Sequence, residues 1–168
     1  LSALERAGIR RVVLSTGYRH EDFLPLVERC RAKGVDLTCV VEATPLGTGG
    51  GLREALGPLR DADVVVVVNG DLLTGHDLGA QVSALTAADA GVLACVHVRE
   101  VDDARAYGSV VVGDRGRVVA FVEKSPAPPS TTVNAGTYVV RPHLLDEIPP
   151  AGSVSLEREV FPALVADT

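Results

Sequence analysis

Four segments of strand character, roughly Arg11 to Ser15, Leu37 to Glu42, Asp63 to Asn69 and Gly91 to Val98, alternate with segments whose apolar residues recur at helical spacing. The helical segments are His20 to Lys33, Gly50 to Leu56 and Asp77 to Ala88. A parallel strand pair needs a long crossover between its members, so this alternation predicts an α/β fold with a mainly parallel sheet covered by helices. The run Val64 to Val68 is apolar at every position, which predicts a strand buried on both faces.

Beyond Val98 the pattern changes. Ser109 to Val112 and Arg117 to Glu123 flank the turn-forming Asp114-Arg115-Gly116, predicting an antiparallel hairpin and hence a mixed sheet. A stiff loop, Ser125 to Ser130, leads to a strand near Thr137 to Val140. Ser155 is the expected N-cap of a last helix; Arg158 stands where a capping box needs Glu or Gln, and Glu157 and Glu159 favour the first turn through the helix dipole. Ser2 is a further candidate cap, for a short helix through Ala7.

At 168 residues and 46% hydrophobic, the chain is sized for one domain or most of one. A net charge of -6 and only 4% aromatics argue against a nucleic-acid surface, which needs a basic track and stacking rings. The apolar runs are strand-sized, far below the roughly 20 residues of a membrane span. Cys30, Cys39 and Cys95 lack metal-site spacing and read as buried reduced thiols, which suggests a cytoplasmic setting. A small molecule is the expected partner. Homo-oligomerisation is left open.

The most informative stretch runs from Glu42 to Leu52, where a strand ends, Pro45 fixes a turn and glycines lead into a helix. Bare glycine backbone admits a flat or anionic ligand, and the helix start offers N–H groups to it; the simpler reading is a helix entry that needs unusual dihedrals. Gly47-Thr48-Gly49 imitates a dinucleotide fingerprint, but Leu52 occupies its last glycine position and Asp71 follows Asn69-Gly70 instead of standing alone at a strand end.

Asn69-Gly70-Asp71 follows the valine strand, at the carboxyl edge where open α/β sheets bind ligands. Asp71 is therefore a candidate Mg²⁺ ligand, since Mg²⁺ takes one or two protein carboxylates beside phosphate oxygens and water; a turn cap is the alternative. Lys33 and Lys124 are the only lysines. Lys124, after Glu123 at the predicted hairpin end, offers a compact charge to a phosphate, and Glu123 an acceptor for sugar hydroxyls; an exposed ion pair is the alternative. Tyr107-Gly108 and Asn134-Ala135-Gly136 each fit turn chemistry as well as ligand contact. His20, His76, His97 and His143 share no metal-binding spacing and read as surface or loop residues.

Taken in order, EATPLGTGGG, VVNGD, AYGSV, VVAFVEKS, VNAGTY and SLEREVFPAL resemble the sugar-1-phosphate nucleotidyltransferase family over essentially the whole chain. The pairing of PLGTGGG with SLEREVFPAL is most similar to the guanylyltransferases acting on mannose 1-phosphate, and heptose-1-phosphate guanylyltransferases share a similar loop. The resemblance implies a Rossmann-like, nucleotide-diphospho-sugar transferase fold and a reaction between a nucleoside triphosphate, GTP preferred, and a sugar 1-phosphate. It implies that Glu42, Pro45, Gly47 and Thr48 line the nucleotide and that Asp71 holds Mg²⁺. Gly108, Glu123 and Asn134 would line the sugar, and Lys124 would bind its phosphate. The family's GxGTR signature, first strand and second metal Asp have no counterpart between Leu1 and Thr168, so an internal piece of a longer catalytic domain, weak or inactive by itself, is expected. Other sugar-1-phosphate nucleotidyltransferases using UTP or dTTP, a noncatalytic nucleotide-sugar sensor and an NAD-binding module are the competing readings.

Overall fold

The computed structural model describes Leu4 and residues 7–166; the expected helix beginning at Ser2 lies mostly outside them. Strand β1 (Arg11–Thr16) pairs in parallel with β2 (Asp36–Val41), from Arg11 against Asp36 to Thr16 against Val41. The helical segment between them is divided. A 3₁₀ turn over His20–Phe23 follows Arg19 in the left-handed region (φ 60°), and helix α1 (Leu24–Arg31) starts afresh with Pro25 in its first turn, where a missing N–H costs nothing. Cys30, Val35 and Leu37, with Val12, Leu14, Leu26 and Val27 against them, form the small core of this unit.

A second sheet is organised around β7 (Thr132–Val140), which has β3 (Val65–Val68) on one side and β4 (Ala94–Glu100) on the other, both antiparallel to it. Val140 stands opposite both Val65 and Ala94. The hairpin of β5 (Ser109–Val112) and β6 (Val118–Val122) joins through the pairing of Ser109 with Val133. Its turn uses two left-handed residues, Arg115 (φ 56°) and Gly116 (φ 74°), as the Asp-Arg-Gly cluster predicts. Helix α2 (Gly47–Leu56) follows β2, and α3 (Leu78–Ala87) starts at Asp77, whose carboxylate accepts from the Ala80 N–H at 3.0 Å. The mixed α/β class holds, but the sheet is not mainly parallel. Among the described pairings only β1–β2 is parallel, and every pairing of the second sheet is antiparallel, because β7 runs against its neighbours β3, β4 and β5 and β5–β6 is a hairpin.

Three further expectations need correction. Val65 is buried but Val68 is 38% exposed, because β3 is paired along only one edge among the described residues. β7 starts at Thr132, so Asn134-Ala135-Gly136 lies within a strand. There Ala135, Gly136 and Thr137 bulge against His97 of β4 alone, between the pairs Val98–Asn134 and Val96–Tyr138. His97 is accordingly a strand residue with a buried Nδ1, its ring stacked on His76 at 3.8 Å, and not a surface histidine.

The main core lies on the face of β7 that carries Tyr138 and Val140, closed by Leu52 and Leu56 of α2, Phe121 and the C-terminal helix α4 (Phe161–Ala166). Phe161 packs at 5.0 Å from the Tyr138 ring and 5.4 Å from that of Phe121; burying such a side chain stabilises the fold by about 1.5–3 kcal/mol. The three cysteines are free, and only Cys30 is fully buried. No helix among the described residues is long and apolar enough to cross a membrane.

Candidate active site

The glycine loop becomes helix at Gly47, three residues earlier than predicted, although glycine costs about 1 kcal/mol per helical position. A passing segment supplies the reason. The Val154 carbonyl accepts from the N–H groups of Gly49 (2.8 Å) and Gly50 (3.3 Å), and the Val154 N–H donates to the Leu46 carbonyl (2.8 Å). Two of the helix-start N–H groups expected to be free for a ligand are therefore occupied by the protein itself. Gly47 has φ 72°, and a Cβ there would stand 2.5 Å from the Val154 oxygen, so the position requires glycine on two counts. Glu42 braces the loop from below, accepting from the Leu46 N–H (2.9 Å) and the Ser15 hydroxyl (2.7 Å). Pro45 and Thr48 are exposed beside it.

Asp71 lies in the loop after β3. That loop rests on the bulge of β7: the Asn69 N–H donates to the Gly136 carbonyl at 3.1 Å, and Asn69 and Leu72 lie over the bare Cα of Gly136. On the other side of the bulge, Gly108, Glu123 and Asn134 meet. The Asn134 N–H donates to the Gly108 carbonyl (2.8 Å), and a Cβ added to Gly108 would stand 2.5 Å from Oε2 of Glu123 and 3.7 Å from Cβ of Asn134. Lys124 follows with φ 33°, a conformation that L residues rarely hold and that tends to mark functional sites.

A line of side chains joins these parts. Asn134 Nδ2 donates to the Tyr138 hydroxyl (2.7 Å), which donates to Glu157 Oε1 (3.0 Å), and the Thr48 hydroxyl donates to Glu157 Oε2 (2.6 Å). The glycine loop, through Thr48 and Glu157, and the loop carrying Asp71, through Asn69, are thus both anchored on Asn134 to Tyr138 of β7, and Glu123, next to Lys124, lies beside Gly108, which Asn134 holds. Asp71, Glu123 and Lys124 make no side-chain hydrogen bond or ion pair among the described residues, though the Glu123 charge acts on the buried Tyr138 phenol. Asp71 and Lys124 are exposed, and Glu123 is half-buried. Their charges are available to a ligand, and the arrangement suits an anion flanked by hydroxyl groups.

Residues 1–168 match the family described as nucleotidyl transferase. The chain belongs to that family. It is 43% identical to the mannose-1-phosphate guanylyltransferase of Mycobacterium tuberculosis over 167 residues, 99% of this chain and 46% of that protein. A probable mannose-1-phosphate guanylyltransferase of Oryza sativa is 34% identical over 171 residues, again with 46% of its length covered. The chain therefore spans about half the length of these curated relatives. Among solved structures, HddC from Yersinia pseudotuberculosis complexed with GMP-PN is similar at 26% identity and a TM-score of 0.70, covering 93% of this chain and 66% of that one. A putative glucose-1-phosphate thymidylyltransferase from Bacillus anthracis shares the fold, with a TM-score of 0.80 at 22% identity over 92% of this chain and 64% of that one.

Two residues at this candidate site escape sequence reasoning. Glu157 is not a solvated dipole partner but a 9% exposed carboxylate, and Tyr138 is fully buried. Burial first, and the Glu157 carboxylate second, push the Tyr138 phenol above its ordinary range. The missed signal is the winding of the last helix, which opens with a π turn over Leu156–Val160. Ser155 caps it as expected, accepting from the Arg158 N–H at 3.2 Å, and Glu159 returns the bond by accepting from the Ser155 N–H at 2.8 Å. The reciprocal cap that Arg158 appeared to forbid is made one residue later, because the wider turn displaces the register.

Proposed function

We propose that this chain is the central part of a catalytic domain that transfers GMP from GTP to mannose 1-phosphate, giving GDP-mannose and pyrophosphate. The observation that carries the reading is that one stretch of β7, Asn134 to Tyr138, holds the glycine loop through Tyr138 and Glu157, the Asp71 loop through Gly136, and Gly108 beside Glu123 through Asn134. The names and identities of the relatives support the guanylyl and mannose assignments. Coverage of 46% of those relatives supports placing the triphosphate-cradling GxGTR loop and a second metal carboxylate in segments outside this sequence.

In this reading a phosphate oxygen of mannose 1-phosphate attacks the α-phosphorus of GTP in line, a new P–O bond forms, and the bond to the β-phosphate bridging oxygen breaks with its electron pair. The protein's task is to align anions and neutralise charge, so no covalent nucleophile is needed. Lys124 steadies the attacking phosphate, while Glu123 and Asn134 hold sugar hydroxyls. Glu42, Pro45, Gly47 and Thr48 shape the nucleotide side. Asp71 fits Mg²⁺ as a lone exposed carboxylate, in the manner of an ion that keeps most of its shell for phosphate and water; among the described residues no cluster of three ligating side chains surrounds it. When bound, the ion supplies charge neutralisation at the phosphates.

The test is pyrophosphate release by the full-length protein carrying this chain, across GTP, ATP, UTP and dTTP, each with mannose, glucose and heptose 1-phosphates. GTP with mannose 1-phosphate is expected to give the highest kcat/KM. Turnover of UTP or dTTP without GTP overturns the guanylyl assignment.

A further inference from the structure

We propose that Glu157 is a positioning residue that sets, through one carboxylate, both the Thr48 hydroxyl at the glycine loop and the Asn134 amide beside Glu123. The two ends are the nucleotide and sugar sides of the proposed function, and the inference rests on that reading for their names.

The argument starts from donor and acceptor capacity. An ionised carboxylate only accepts. Glu157 accepts the Tyr138 hydroxyl on Oε1 at 3.0 Å, and on Oε2 the hydroxyls of Thr48 at 2.6 Å and Ser155 at 3.0 Å. Tyr138 has one hydroxyl hydrogen, and Glu157 takes it. The phenol oxygen therefore faces Asn134 as an acceptor, and Asn134 must turn its NH₂ group toward it, at 2.7 Å. The other end of the amide agrees, since Asn134 Oδ1 accepts from the Gly136 N–H at 3.0 Å. One amide hydrogen and one carbonyl lone pair of Asn134 are left, in fixed directions, next to Glu123 and Gly108.

Thr48 is fixed by the same rule. Its oxygen accepts from the Leu156 N–H at 2.9 Å and its hydrogen goes to Glu157, so its hydroxyl cannot rotate freely. Three elements distant in sequence, α2, β7 and the π turn, thus depend on one acceptor that is 9% exposed. Burial makes the carboxylate costly to leave partly unpaired, so its donors are held firmly. An amide at this position would present a donor where the relay needs an acceptor, and the polarity of the Tyr138–Asn134 link would no longer be determined.

Steady-state kinetics of the full-length protein test this with three variants. Thr48→Val is expected to raise KM for the nucleotide, Tyr138→Phe that for the sugar phosphate, and Glu157→Gln both, by roughly tenfold each with kcat changed by less than about threefold. A lower melting temperature with both KM values unchanged in Glu157→Gln would show a scaffold role alone and overturn the proposal. Side-chain amide resonances of asparagine-labelled protein give a readout independent of turnover. Thr48→Val should shift the Asn134 amide when Tyr138 is present and not in the Tyr138→Phe background; absence of that shift overturns the relay. A wild-type protein inactive with every substrate pair refutes the proposed function, and the resonance experiment then decides the relay by itself.

Discussion

Thr48 and Glu157, 109 positions apart in the chain, share a 2.6 Å hydrogen bond between a loop that is exposed and a carboxylate that is not. The contact ties the start of α2 to the π turn before α4 and makes the glycine loop part of the main core's polar edge.

Replacing Thr48 by Val keeps its shape but leaves the Leu156 N–H without its acceptor and removes one of the three hydroxyl donors to Glu157. The expected loss is about 1–3 kcal/mol, read from the urea midpoint at unchanged m-value. Thr48→Ser, which retains the hydroxyl, should recover most of it.

Gly108→Ala places a methyl group 2.5 Å from Oε2 of Glu123, so the carboxylate must move. Because that carboxylate makes no hydrogen bond or ion pair among the described residues, stability should change by less than about 1 kcal/mol, within the range of surface substitutions and small repacking. The KM for the sugar phosphate should rise several-fold while that for the nucleotide is unchanged.

Lys124 separates stability from activity. Its φ of 33° costs an L residue about 1–2 kcal/mol, so Lys124→Gly should be more stable than Lys124→Ala by about 1 kcal/mol in thermal denaturation. Both variants should lose sugar-phosphate use to a similar degree, because both lack the ammonium group.

Asp71→Asn removes a charge with no protein partner, so the fold should tolerate it within about 0.5 kcal/mol. The Mg²⁺ concentration for half-maximal activity should rise by roughly tenfold, measured by metal titration of the rate. Kinetics identical to wild type at limiting Mg²⁺ would remove Asp71 from the site.

His97 makes stability depend on pH. Burial first, and the neighbouring His76 second, hold its imidazole below the ordinary 6.5. The unfolded chain therefore takes up this proton before the folded one, so stability is complete above about pH 6.5 and declines as pH falls toward the folded value. Below that value the contribution is lost and the slope vanishes. Chemical denaturation from pH 8 to 5 should show the decline, and His97→Gln should flatten it.

Periodicity, turn residues and motif order carry a large part of this protein. Alternating apolar patterns marked β1 to β6 and α3 to within a few residues, and Asp114-Arg115-Gly116 announced its hairpin, because these depend on neighbours in the chain. The residues proposed for a nucleotide, a metal and a sugar phosphate are also legible in order. What only the tertiary structure decided is how those segments meet. The early start of α2 depends on Val154, the bulge in β7 on its pairing to β4, and the burial of Glu157 on a π turn that places it against Tyr138 and Thr48. Each is a bond between groups far apart in sequence, and local pattern has no way to encode a partner it does not adjoin.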